Sequence, residues 1–289
     1  MLAGKVTLIS GASQGFGFEV ARQFAINGAH VIICARDQAL LAKRQKELEI
    51  IATDNARILS VTADISKSKQ VKNLFDIINK NFGGLDVLVA NAGVYGPPGK
   101  IETVDWKAWS DAIDINLKGT VLQCRYAIPL LKKRRSAKII ILSGGGATKP
   151  LPYLSAYAAS KAAIVRFAET LAIELKETSI DVNTIAPGAL NTRLIDQIIE
   201  AGPEKVGNTF YQQSLTQKQQ GGTPLALGAS LCVYLASSQS DGITGKLISA
   251  IWDPWKKLHE YKATLNETDI YTLRRIIPKD RGKTWGDVS

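Results

Sequence analysis

Seven short runs rich in β-branched residues, separated by longer segments of helical period, narrow the folds open to this chain more than any other feature. The runs are VTLIS (6–10), HVIICA (30–35), RILSVTA (57–63), LDVLVANA (85–92), KIIILS (138–143), IDVNTIA (180–186) and GKLISAI (245–251). Segments between them, such as FEVARQFAIN and VKNLFDIINKNF, repeat apolar residues every three or four positions, as a helix with one buried face does. The strand runs are apolar on both faces, which suits a parallel sheet covered on both sides. The expectation is an α/β fold, a doubly wound parallel sheet of about seven strands with helices on both faces. No linker-like stretch divides the 289 residues, so residues 1–251 read as one domain and 252–289 as a C-terminal extension.

Charge and composition exclude several other classes. The net charge is +10, but the basic residues are spread along the chain, and only Lys132-Lys133-Arg134-Arg135 form a cluster. That cluster ends a helical pattern, where cations complement the helix C-terminus. Without basic and aromatic residues interleaved, no nucleic-acid partner is expected. Cys34, Cys124 and Cys232 are odd in number and far apart, which suggests neither a disulfide framework nor a zinc site, so they read as small buried hydrophobes. His30 and His259 are the only histidines, too few for a histidine metal site or a Ser-His-Asp arrangement. No metal is expected. With no signal-peptide pattern and no bilayer-length apolar run, the expected location is cytoplasmic, with no membrane partner.

The first strand leads into SGASQGFGFEVARQFA, where Gly11, Gly15 and Gly17 fall at the turn and helix start, with Ser13, Gln14 and Phe16 between them. Glycine there lets the backbone turn sharply and a pyrophosphate approach, while free N–H groups and the helix dipole favour negative charge. A strand before and an amphipathic helix after are the context such a fingerprint requires, and they make the sheet Rossmann-type. The second strand ends in CARDQAL. An acid at this strand end hydrogen-bonds the adenosine ribose of NAD, whereas an arginine accommodates the 2′-phosphate of NADP. Ala35 leaves the acid's position empty and Arg36 supplies the cation, so NADP(H) is favoured over NAD(H). Asp37 reverses the preference if it, and not Arg36, faces the ribose, and Gln14 adds no charge inside the loop.

The glycine segment, ADI at 63–65, NAG at 91–93, Asn116, YAASK at 157–161 and PGALNT at 187–192 together resemble the short-chain dehydrogenase/reductase family over residues 1 to about 250. The resemblance implies that Asp64 and Ile65 hold the adenine. It places Asn91, Ala92 and Gly93 along the cofactor groove, and Pro187, Gly188 and Thr192 over the nicotinamide. It also gives Lys161 the nicotinamide ribose hydroxyls and Asn116 a proton-relaying water, and makes residues 1–251 a dinucleotide-binding and catalytic domain.

Physical chemistry supports the same centre. Tyr157 and Lys161 at i and i+4 share a helix face. A cation about 4 Å from the phenol, at an effective dielectric near 20, contributes on the order of 4 kcal/mol, or about three pKa units before desolvation. The expectation is a Tyr157 brought down into the range of a usable acid or base. The serine is displaced: family members carry it one residue nearer the tyrosine than Ser143, where this chain has Gly144. Three readings stay open. Ser143 is turned to the substrate by a local irregularity that Gly144, Gly145 and Gly146 permit; or backbone N–H groups of that stretch polarise the carbonyl; or Thr148, Ser155 or nothing replaces it.

Substrate contacts are expected from 94–99, 146–154 and the stretch after Pro187, because ligands bind beyond the carboxyl ends of the strands. Tyr95 and Tyr153 read as loop packing. The extension carries Trp252, Trp255 and Trp285 and two expected helices, 254–263 and 267–276. It closes its own subunit's pocket or reaches a neighbour, and a neighbour contact in a homo-oligomer, dimer or tetramer, is the reading preferred here. Asn116, Ser143, Tyr157 and Lys161 are thus the candidate catalytic set of an oxidoreductase acting on a small-molecule alcohol or carbonyl. The alternative is a sensor or scaffold that binds the cofactor without efficient catalysis.

Overall fold

The computed structural model describes residues 1–53 and 55–285. Its strands are β1 (Val6–Ser10), β2 (His30–Ala35), β3 (Ile58–Thr62), β4 (Val87–Ala90), β5 (Ala137–Leu142), β6 (Ile180–Ala186) and β7 (Lys246–Ser249). All seven expected runs form, and they pair in parallel in the order β3-β2-β1-β4-β5-β6-β7. Between the strands run α1 (Gly15–Ile26), α2 (Gln38–Ile51), α3 (Ser68–Phe82), α4 (Trp106–Ile113), α5 (Gly119–Leu131) and α6 (Ser155–Glu174). Four helices, α7 (Arg193–Ala201), α8 (Pro203–Val206), α9 (Asn208–Gln220) and α10 (Leu225–Ala236), separate β6 from β7, and α11 (Lys262–Glu267) follows it.

Alternation along each strand divides the interior into two cores. Ile9 and Ile33, paired in register, pack with Val20 and Phe24 of α1, Leu41 of α2 and Leu231 of α10. Their neighbours Leu8 and Ile32 point the other way, toward Leu74 of α3, Leu131 of α5 and Ile164 of α6. Both sheet faces are therefore covered, which is why the strand runs are apolar throughout rather than alternating. Cys34, Cys124 and Cys232 are free and buried within these layers. In the basic cluster, Lys133 donates to Asn79 at 2.9 Å and Arg134 to the Phe82 carbonyl at 3.2 Å, tying the chain after α5 to the end of α3. No helix among the described residues is long and apolar enough to cross a membrane.

The extension departs from expectation. Residues 255–261 form a 3₁₀ turn and α11 follows, but the helix expected over 267–276 does not form, and α11 ends at Glu267. Its backbone groups bond to other elements instead: the Tyr271 carbonyl accepts the Leu247 N–H at 2.7 Å, and the Leu273 N–H donates to Glu169 Oε1 at 2.6 Å. The Thr268 carbonyl also accepts from the Lys246 ammonium at 2.9 Å. Tertiary partners outweigh local propensity here, and the segment lies along the open edge of β7 and against α6 of its own subunit. Trp255 is buried, 6% exposed, while Trp252 and Trp285 are 83% and 73% exposed. Residues 286–289 of the extension lie outside the described residues.

At the sheet end away from the glycine turn, Lys138 of β5 is buried and reaches Asp181 at 2.6 Å and Asp241 at 2.7 Å. Burial alone raises the Asp241 carboxyl, but the hydrogen bond and charge of Lys138 hold it below its ordinary value. A carboxylate lowered in the folded state stabilises the fold above its unfolded pKa, and that contribution is lost as pH falls through the folded one. Lys138→Met is expected to destabilise by about 2 kcal/mol at neutral pH, since it removes the cation that the two carboxylates share and leaves Asp181 with the Gly242 N–H and Asp241 with the Ser136 hydroxyl. Urea unfolding should show the difference from wild type shrinking in acid as the Asp241 carboxyl takes up its proton.

Candidate active site

The strand order reverses direction between β1 and β4, and a crevice opens there at the carboxyl ends of the strands. Asn91, just after β4, donates its side-chain amide to the carbonyls of Ser10 at 2.8 Å and Gly11 at 3.2 Å. Ser10 Oγ in turn accepts the N–H groups of Asn91 and Ala92 at 3.1 and 3.2 Å. Gly17 allows this clasp, because a Cβ there would lie 2.4 Å from Asn91 Nδ2 and 2.5 Å from the Gly11 oxygen. Arg44 of α2 donates to the Ser13 carbonyl at 3.0 Å and stacks on Phe18, fixing the loop from outside. Asp37 caps α2 by accepting the Leu40 N–H at 2.9 Å on one carboxylate oxygen, and both Arg36 and Asp37 line the crevice.

One cavity of about 1010 Å³ runs along this edge. All the cofactor-binding candidates line it, from the glycine loop and Arg36 through Asp64, Ile65 and 91–93 to Pro187, Gly188 and Thr192. Ser143, Tyr157 and Lys161 line it too. Asn116 stands one layer behind, 1% exposed, inside a π-helical turn spanning Asp114–Lys118. Its amide group donates to the Val94 carbonyl at 2.8 Å and Ser160 Oγ at 2.9 Å, and its oxygen accepts the Val94 N–H at 2.9 Å. It therefore fixes the loop after β4. The wider helical turn delivers that side chain, a signal the residue pattern does not carry.

The Tyr157–Lys161 pair differs from the Coulomb expectation. Lys161 Nζ lies 5.5 Å from the Tyr157 ring centroid but donates to the Leu142 carbonyl at 2.6 Å. Burial, and then the nearby Tyr95, push the Tyr157 phenol well above its ordinary value. Burial also lowers the Lys161 ammonium to about 8. Desolvation outweighs attraction because the ammonium's direct partner is a carbonyl and not the phenol. Tyr95 meets Tyr157 edge to face at 4.8 Å, whereas Tyr153 packs over Gly207.

The displaced serine has a geometric account. In β5, Ile139 and Ile141 face the core containing α6 while Ile140 and Leu142 face the other; alternation carries Ser143 to the α6 side, where Tyr157 and Lys161 are. Its hydroxyl is buried with no hydrogen-bond partner in the chain and lies at the cavity wall. At Gly144 a Cβ would sit 2.6 Å from the Tyr157 oxygen. Glycine clears the phenol, and the hydroxyl stands one residue earlier. Sequence reasoning missed Ser10, Arg44 and Ser160, whose roles depend on long-range partners. Ile251, at the end of the domain, and Trp252, at the start of the extension, also line the cavity.

The family model for short chain dehydrogenases matches residues 5–202. The chain is 36% identical over 250 residues to human dehydrogenase/reductase SDR family member 4, covering 86% of each. It is 34% identical over 246 residues to 3beta-hydroxysteroid dehydrogenase 1 of Eggerthella lenta, covering 84% of this chain and 91% of the relative. A solved short chain dehydrogenase of Shigella flexneri in complex with NADP superposes with a TM-score of 0.75 at 25% identity, covering 86% of this chain and 98% of that one.

Gly144→Ala is expected to displace the phenol and lower ketone-dependent nicotinamide turnover roughly 10²-fold, the scale of a small misplacement at a reacting centre. Stopped-time absorbance assays with a ketone panel measure it; turnover within about threefold of wild type contradicts the close approach.

Proposed function

The chain belongs to the short-chain dehydrogenase/reductase family, NAD(P)-dependent enzymes acting on CH–OH groups, and from that premise we propose an NADP(H)-dependent oxidoreductase interconverting a secondary alcohol and a carbonyl. The observation carrying the proposal is the unpartnered buried hydroxyl of Ser143 on the same cavity wall as Tyr157 and Lys161. A buried hydroxyl lacking a partner is unfavourable unless a ligand completes it.

The residues that line the crevice fit a dinucleotide. Bound, NADPH supplies a hydride to the carbonyl carbon. The chain's own groups then have separate tasks. Ser143 donates a hydrogen bond to the substrate oxygen, and the Tyr157 phenol transfers its proton to that oxygen as negative charge develops. A raised phenol pKa keeps this proton in place through neutral pH, so the acid form that carbonyl reduction requires is present. Lys161 keeps a cation beside the phenol, and Asn116 holds the Val94 backbone that forms the wall next to Tyr95. Residues 1–251 act as the dinucleotide-binding and catalytic domain in this reading. A cytoplasmic location and a homo-oligomer complete it. The exposed Trp106, stacked on Trp109 at 5.2 Å, offers an apolar contact for assembly; cell fractionation and mass in solution check these two points.

Arg36 at the crevice, beside an Asp37 that also lines it but spends one carboxylate oxygen on the cap of α2, supports NADP(H) over NAD(H). Arg36→Ala is expected to weaken NADPH binding about 10- to 100-fold, the worth of one charge-assisted contact. NADH binding should change little, and fluorescence titration distinguishes the cofactors; equal losses for both would remove Arg36 from phosphate recognition.

The reaction itself is tested by pH. Lys161 carries its proton below about pH 8 and loses it above. Reduction should therefore hold below that value and decline above it, while Lys161→Arg, charged throughout, should move the decline to higher pH. Tyr157→Phe should lower turnover roughly 10²- to 10⁴-fold at every pH. Turnover that survives the loss of the phenol would end the proposal.

A further inference from the structure

After Ser249 the chain does not run free but makes a turn, 250–253, pinned from several sides. Ser249 Oγ accepts the N–H groups of Ile251 at 3.3 Å and Trp252 at 3.2 Å. Asp253 Oδ2 accepts the Ser249 N–H at 2.6 Å, and buried Trp255 donates its indole N–H to the Ala250 carbonyl at 3.1 Å. Ile251 presses against Gly188, where a Cβ would lie 2.5 Å from Ile251 Cδ1.

The far end of the extension returns to brace this turn. Tyr271 adopts a left-handed backbone conformation at φ 62°, uncommon for a residue with a side chain. Its carbonyl accepts from Leu247 at 2.7 Å, while its phenol lies close to the Asp253 carboxylate. Leu273 is held by Glu169 of α6 at 2.6 Å, and Arg166 donates to the Leu273 carbonyl. Residues 268–273 are thus a strap fastened to β7 and α6 that also touches the base of the turn.

What the braced turn presents is unusual. Trp252 lines the cavity with its side chain 83% exposed. An indole left in water on a pinned backbone turn gives little to the fold, yet offers a large flat contact to whatever enters. The same cavity is bounded by Phe210, Leu190 and Ile251, all apolar, with Gln217 among them. These residues extend the apolar lining beyond Ser143 and Tyr157.

We propose that the turn at 250–253 is the distal wall of the substrate site, with Trp252 contacting a bulky apolar body, such as fused rings, carried by the carbonyl substrate. Tyr271 is a positioning residue for that wall through Asp253. The proposal rests on the oxidoreductase reading and specifies its substrate class.

The test uses the full chain with NADPH and two ketone probes, 2-decalone and cyclohexanone, read as the ratio of their kcat/KM values. Trp252→Ala should lower the decalone-to-cyclohexanone ratio about tenfold, mainly through the decalone KM, the scale of lost apolar contacts in a pocket. Trp252→Phe should restore most of the ratio, and Tyr271→Phe should lower it about threefold by loosening the turn. An active wild type whose ratio is unmoved by Trp252→Ala overturns this inference alone. Equal losses for both ketones, unrepaired by Trp252→Phe, also overturn it, because Trp252 would then serve the fold. A wild type inactive on a broad carbonyl panel despite binding NADPH fails at the oxidoreductase reading, and this inference falls with it.

Discussion

A parallel sheet sends the carboxyl ends of all its strands to one edge, and the candidate site is built along that edge. β1 and β4 pair in parallel as far as Ile9 and Val89, and the strand order reverses between them. Just past that ladder Asn91 and Ser10 hold the two chains together by exchanging hydrogen bonds, and Gly17 yields the space they need. From this clasp the glycine loop, the wall after β4 and the end of β5 take their positions. The groups proposed for chemistry depend on backbone placed by the sheet.

Burial and charge compete at Tyr157. The i, i+4 spacing correctly puts Lys161 beside the phenol, but spacing says nothing about which atom the ammonium bonds. In the structure that atom is the Leu142 oxygen, and the low polarity of the wall pushes phenol and ammonium toward their neutral forms. A proton held on Tyr157 and a lysine poised near 8 suit a group that gives a proton away. The protonation state of the pair therefore depends on how dry the wall is, more than on the i, i+4 spacing.

Much of the fold was legible because a two-sided parallel sheet demands continuous apolar strands and amphipathic helices between them, and both patterns are local. The glycine loop and the YAASK helix were legible for the same reason. The segment 267–276 was not: its composition suits a helix, but Leu247 and Glu169, distant in sequence, bond its backbone. Asn116 was recognisable as a site residue, whereas its attachment to Val94 and Ser160 required the π-helical turn. The position of Ser143 needed both strand alternation and the clearance at Gly144. Neither can be assigned without knowing where the phenol oxygen lies.

Turnover of Ser143→Ala on a ketone reduced by the wild type, with NADPH binding measured on the same preparation, tests the central claim most directly. The account predicts a loss of about 10²- to 10³-fold in kcat, the effect of removing one positioned donor, with cofactor affinity essentially unchanged. Turnover within about threefold of wild type would contradict it, and would pass the role of the donor to the backbone of the glycine stretch.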